Sequence, residues 1–99
     1  MQLTQDDGFI ELFNAVAKVA KPMHTDYDLA KSLDDNFGDI DIDSLDCLLI
    51  VIYMCELFCV PEEIGKEFNP INIRELYNSI MEHKTKVPDS IEAAVKEIE

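Results

Sequence analysis

Ser44 stands between two aspartates in Asp43-Ser44-Leu45-Asp46, where an acidic, punctuated stretch gives way to the most apolar run of the chain. A hydroxyl in the first turn of a helix lies where unpaired backbone N–H groups point outward and the helix dipole is positive. Such a place tolerates a phosphodiester, and a serine there is a small, accessible oxygen that can be esterified. The same serine also suits a purely structural role, because either Asp43 or Ser44 can cap the helix that follows.

Other side chains could also do chemistry. The carboxylates from Asp34 to Asp46 invite a calcium loop, which needs glutamate at its twelfth position. Counting from Asp34 the twelfth residue is Leu45, and from Asp39 it is Ile50, so neither register works. Clustered carboxylates of this kind leave only weak, adventitious binding of divalent ions. Cys47, Cys55 and Cys59 match no zinc spacing. Cys55 and Cys59 are four apart, on one helix face, where cysteine packs as a small hydrophobe. His24 and His83 are isolated, and no Ser-His-Asp set, Cys-His set or glycine-rich phosphate loop is present.

The elements that must position Ser44 follow from periodicity. Phe9, Leu12, Phe13, Val16, Ala17 and Ala20 recur at helical spacing behind a variant capping box, Thr4 and Asp7, and Pro22 ends this helix. Residues 21–43 read as a long loop pinned by Tyr27, Leu29, Leu33, Phe37, Ile40 and Ile42, with a short helical turn near Leu29 to Leu33. Ser44 to Phe58, without Gly or Pro, is the strongest helix. Glu62 to Phe68 reads as a short helix with Pro61 in its first position. Asn72 caps a further helix whose stripe is Ile73, Leu76, Tyr77, Ile80 and Met81. Pro88 and Asp89 start a last short helix carrying Ile91, Ala94, Val95 and Ile98. No segment alternates convincingly enough to be a strand.

The stretch Phe37-Gly38-Asp39-Ile40-Asp41-Ile42-Asp43-Ser44-Leu45-Asp46 resembles the pattern Phe-x-Asp-Leu-Gly-x-Asp-Ser-Leu-Asp of acyl carrier proteins. The resemblance extends over roughly residues 5 to 82, including the short helix after Pro61 and Asn72-Ile73, where that family often has Thr-Val. It implies that Ser44 carries 4'-phosphopantetheine, a covalent cofactor whose thiol holds acyl groups as thioesters. Asp43, Leu45 and Asp46 would form the recognition surround. The modifying phosphopantetheinyl transferase would supply the base, so Ser44 needs no His or Lys beside it. Ile40 replaces the usual leucine. Asp41 stands where glycine is common, which puts the loop's backbone geometry in question.

Composition agrees with this reading. The chain has 99 residues, enough for one small domain, with 47% hydrophobic residues. Twenty-one acids against 8 Lys and Arg give a formal net charge of -13, which repels nucleic acid and anionic lipid and attracts basic protein patches. The polar, acidic residues 1–8, the odd cysteine count and the lack of a membrane-spanning run lead to the expectation of a soluble cytoplasmic monomer.

The helix from Ser44 is apolar almost all round. Cys47, Ile50, Met54 and Phe58 form one stripe, read as core and as the wall of a cargo pocket. Leu45, Leu48, Leu49 and Ile52 form a second, where acyl carriers usually present glutamates, and here Leu49 and Cys55 replace acids. A helix apolar all round is normally covered. The expected cover is the last helix, or a partner binding through Leu48, Leu49, Ile52, Glu56, Glu62 and Glu63.

The sequence therefore predicts an all-α, acyl-carrier-type bundle of three main helices and one short one, spanning 1–82, with an extension at 83–99 bearing an extra helix. The expected function is that of a carrier and not an enzyme, for fatty-acid, polyketide or related specialised acyl biosynthesis. Its partners would be the transferase and acyl-loading and acyl-transferring synthases with basic or apolar docking patches. The alternatives are an unmodified interaction module of the same fold, or an aminoacyl or peptidyl carrier.

Overall fold

The structure, a computed structural model, describes residues 3–20, 30–40 and 42–98. It is a small all-α bundle: α1 (Asp6–Ala20), α2 (Ser44–Leu57), a short α3 (Glu62–Gly65), α4 (Ile73–His83) and the extra α5 (Ile91–Ile98). No strand occurs among the described residues, and none of their helices is long and apolar enough to cross a membrane.

In α1 and α4 the apolar residues fall on one face, which is buried. In α1, Phe9, Leu12, Phe13, Val16 and Ala17 are buried. In α4, Ile73, Leu76 and Ile80 are buried, and the Asn72 side chain caps the helix by accepting from the Glu75 N–H at 2.9 Å. Phe9 meets Tyr77 edge-on at 4.9 Å and lies 6.1 Å from Phe58, so α1, α2 and α4 share one aromatic centre. Two helix starts differ from expectation. The first bond of α1 runs from the Phe9 N–H to the Gln5 carbonyl, so Thr4 is not the cap; its carbonyl accepts from the Tyr77 hydroxyl instead. At α5 it is Ser90, rather than Pro88 or Asp89, whose hydroxyl accepts from the Ala93 N–H.

The segment before α2 is fastened on both sides. Asn14 on α1 grips Ala30, donating to its carbonyl at 3.0 Å and accepting from its N–H at 2.8 Å. Phe37 stacks on Phe13 at 5.7 Å. On the α4 side the Arg74 N–H donates to the Leu33 carbonyl at 2.7 Å, and the Phe37 N–H to the Ile71 carbonyl at 3.1 Å. The Arg74 guanidinium also pairs with the Asp34 carboxylate at 2.7 Å, which holds that carboxyl below its usual range. Leu33, Phe37, Ile40 and Ile42 are the buried anchors. Tyr27, Leu29, Pro22, His24 and Asp41 lie outside the described residues. The helical turn expected near Leu29 to Leu33 lies partly outside the described residues; within them, Ser32 to Asp35 make a single hydrogen-bonded turn and a 3-10 helix spans Phe37–Ile40.

The chain after α4 folds back against the end of α2. Thr85 and Lys86 donate their N–H groups to the Phe58 carbonyl at 3.0 and 3.2 Å, and the Thr85 hydroxyl donates to the Cys59 carbonyl at 2.8 Å. From there α5 packs against α1 and touches α2, burying Ala94 and Ile98. The predicted cover over the outer face of α2 is not formed, because α5 spends its apolar stripe on the core. Leu45, Leu48 and Ile52 stay 66%, 53% and 50% exposed.

A chain lacking residues 86–99 loses this packing. Burying one Ile or Leu contributes roughly 1.5–3 kcal/mol, so its unfolding free energy is expected to fall by about 3 kcal/mol. Urea denaturation checks this, and an unchanged midpoint would refute the packing role of α5.

Candidate functional site

Asp43 is the N-cap of α2. Its backbone is extended (φ -85, ψ -178), its carboxylate accepts from the Asp46 N–H at 2.8 Å, and its carbonyl accepts from the Cys47 N–H at 2.8 Å. This settles which of the two candidates caps, and it relieves Ser44 of that role. Ser44 is the first residue of α2 and is exposed, between exposed Asp43 and Leu45, with Asp46 half-buried. Immediately upstream Ile42 is buried, and its N–H donates to the Phe37 carbonyl at 2.9 Å, so the fastened loop fixes where the helix mouth opens.

Ser44 also lines a groove of about 580 Å³ running along α2. One wall is Cys47, Leu48, Val51, Ile52 and Cys55; the other comes from the turn after α2, from α3 and from the loop beyond it, through Val60, Gly65, Phe68 and Pro70. Volumes of about 300–1,000 Å³ are usual for pockets that enclose a small organic ligand. The pocket wall differs from expectation. Of the predicted stripe only Cys47 lines the groove, while Ile50, Met54 and Phe58 are in the central core. A helix apolar all round can serve both sides, and the groove uses the strip next to the core strip.

The turn that brings α3 back over α2 has a specific geometry. Cys59 adopts φ 51, the Val60 N–H donates to the Cys55 carbonyl at 2.8 Å, and the Cys59 N–H donates to the Glu56 carbonyl at 3.3 Å. This is the Schellman pattern, with buried Val60 and Cys55 supplying its usual apolar contact and cysteine in the place that favours glycine. Cys55 and Cys59 consequently do not share a face as predicted: Cys55 is buried and Cys59 is exposed beyond the helix end. Burial pushes the Cys55 thiol up to about 11 and raises that of half-buried Cys47, so both stay protonated near neutrality. No cluster of three metal-ligating side chains occurs among the described residues.

The residues proposed to meet partners fall on the outside of α2 and the start of α3. Leu48 and Ile52 are exposed and also edge the groove, Leu49 is half-buried, and Glu56, Glu62 and Glu63 are exposed. Gly65, Asn14 and Thr85 escaped sequence reading. A lone glycine within a helical stretch points to a packing reason for it, whereas nothing in the sequence singles out Asn14 or Thr85.

No family model matches the chain, and neither a curated protein nor a solved structure matches it.

Two tests bear on this geometry. A left-handed non-glycine residue costs roughly 1–2 kcal/mol, so Cys59→Gly is expected to raise the unfolding free energy by about 1 kcal/mol; a loss would contradict the assigned turn. Alkylation at roughly pH 8, just below the ordinary thiol range, is expected to consume Cys59 first and Cys55 last, with the Cys55 rate climbing as the pH approaches 11. Equal rates for the two, followed by peptide mass spectrometry, would refute the assigned burial.

Proposed function

We propose that the protein is an acyl carrier that bears 4'-phosphopantetheine on Ser44, and that it is a covalent shuttle with no catalytic residues of its own. The observation that carries this reading is the coincidence at one residue of the Asp-Ser-Leu-Asp motif, exposure without a capping role, and a place in the lining of a largely apolar groove. The residues fit the group. Its phosphodiester would lie at the positive end of α2, and Ser44 itself lines the groove, so an apolar chain tethered there has adjacent surface to cover it. When attached, the arm supplies a thiol that carries an acyl group as a thioester.

The chain's own residues would do three things. Asp43 holds the backbone of the helix start and leaves the Ser44 oxygen accessible to the transferase. The apolar strip of Leu48, Val51 and Ile52 excludes water from a sheltered chain. Cys47 and Cys55, kept as thiols by burial, do not capture the acyl group by exchange, because the thiolate is the nucleophile in that reaction. Cytoplasmic acyl-loading and acyl-transferring enzymes, in fatty-acid, polyketide or related lipid metabolism, would approach through the acidic residues around the helix mouth and the exposed Leu48 and Ile52. The apolar groove favours acyl cargo over aminoacyl or peptidyl cargo.

A second reading rests on the exposed Leu45, Leu48 and Ile52. Three large apolar residues on one helix face suit a binding module that is never modified. Incubation with coenzyme A and a broad-specificity phosphopantetheinyl transferase separates the two. The carrier reading expects the intact mass to rise by one phosphopantetheinyl group in the wild type and not in Ser44→Ala; an unchanged wild-type mass would favour the module.

A further inference from the structure

The two walls of the groove touch where a sulfur rests on a glycine. A Cβ added to Gly65 would lie 2.8 Å from Cys55 Sγ, closer than real side chains come, and 3.5 Å from its Cβ, an ordinary contact. Swinging α3 away would not relieve the clash cheaply. The turn that launches α3 is held by the Val60 N–H on the Cys55 carbonyl at 2.8 Å and by the Thr85 hydroxyl on the Cys59 carbonyl at 2.8 Å. Rotating the sulfur is also restricted, since Cys55 is only 6% exposed. Both residues line the groove, and Cys55 stands eleven positions beyond Ser44, about 16 Å along the helix at 1.5 Å per residue.

We infer that the Cys55–Gly65 contact sets the spacing of α2 and α3, and with it the capacity of the groove, making these two residues the size gauge for the apolar group it accepts. That the occupant is an acyl cargo rests on the carrier reading; the gauge itself does not. A side chain at position 65 consumes space between the walls, and a smaller side chain at position 55 returns it. The pair is therefore expected to compensate: Cys55→Ala should make room for the methyl of Gly65→Ala.

The test uses the full-length, unmodified protein and the neutral dye Nile red, followed by displacement with straight-chain alcohols of increasing length. Neutral probes avoid the repulsion that a net charge of -13 exerts on anionic dyes. Overpacking a filled contact carries a penalty equivalent to about tenfold in affinity, so Gly65→Ala is expected to weaken Nile red by about that factor. In Gly65→Ala/Cys55→Ala the affinity is expected to return to within about threefold of wild type, a compensation that only neighbours show. Cys55→Ala alone is expected to admit longer alcohols than wild type. Far-UV circular dichroism establishes that each variant is folded. Should Gly65→Ala not fold, Cys55→Val adds bulk from the other wall and must weaken the dye in the same way. The dye is read on the unmodified protein, so a chain that no transferase modifies would overturn the carrier reading while leaving the gauge standing. Absence of dye binding in the wild type, unchanged affinity when either wall is enlarged, or failure of the double variant to recover would each overturn the gauge.

Discussion

Ser44 is held in place by the fastened segment that precedes it, residues 30–40 and 42. Asn14 clamps Ala30 to α1, Phe37 stacks on Phe13, and the Leu33, Asp35 and Phe37 backbone is bonded to the residues around the head of α4. A long connection without such ties would let the start of α2 fray, and a frayed start has neither aligned N–H groups nor a defined hydroxyl position. Buried Ile42 transmits the fastening to Asp43, which caps the helix, and Ser44 follows with its oxygen exposed. The chemistry proposed for Ser44 depends on this chain of contacts more than on any feature of the serine itself.

The apolar character of α2 is used on several sides. Ile50, Met54 and Leu57 complete the core with α1 and α4, and Val51 and Cys55 wall the groove under α3. Leu45, Leu48 and Ile52 remain outside, beside exposed acids. A strong negative charge discourages two copies from meeting through this face and favours a basic partner. The residues beyond α4 contribute from a distance: Thr85 and Lys86 hold the carbonyls at the end of α2, where Cys59 takes a left-handed conformation that a side chain disfavours. A tail that looks dispensable from its position thus steadies the turn from which α3 starts.

Much of the bundle was legible in the sequence because helical periodicity is a local signal. The stripes of α1 and α4 and the Asn72 cap could be read from spacing and residue type, as could the anchors Leu33, Phe37, Ile40 and Ile42. Thr4 misled because a capping pattern competes with tertiary bonding, and Tyr77 takes its carbonyl. The destination of α5 was not legible either. Its stripe was visible, but two apolar faces stood available to it, and only packing geometry selects α1. The groove wall was misjudged by one strip because α2 offers no polar side from which to take a bearing. Cys59 looked like a helical neighbour of Cys55, and the Schellman turn, which usually announces itself by glycine, separates the two.

The account is tested most directly by locating the modified atom. After treatment with coenzyme A and a phosphopantetheinyl transferase, proteolysis and fragmentation of the peptide containing Asp43, Ser44 and Leu45 is predicted to place the phosphopantetheinyl group on the Ser44 oxygen. A peptide that returns unmodified, or a group found on another hydroxyl, would contradict the carrier assignment.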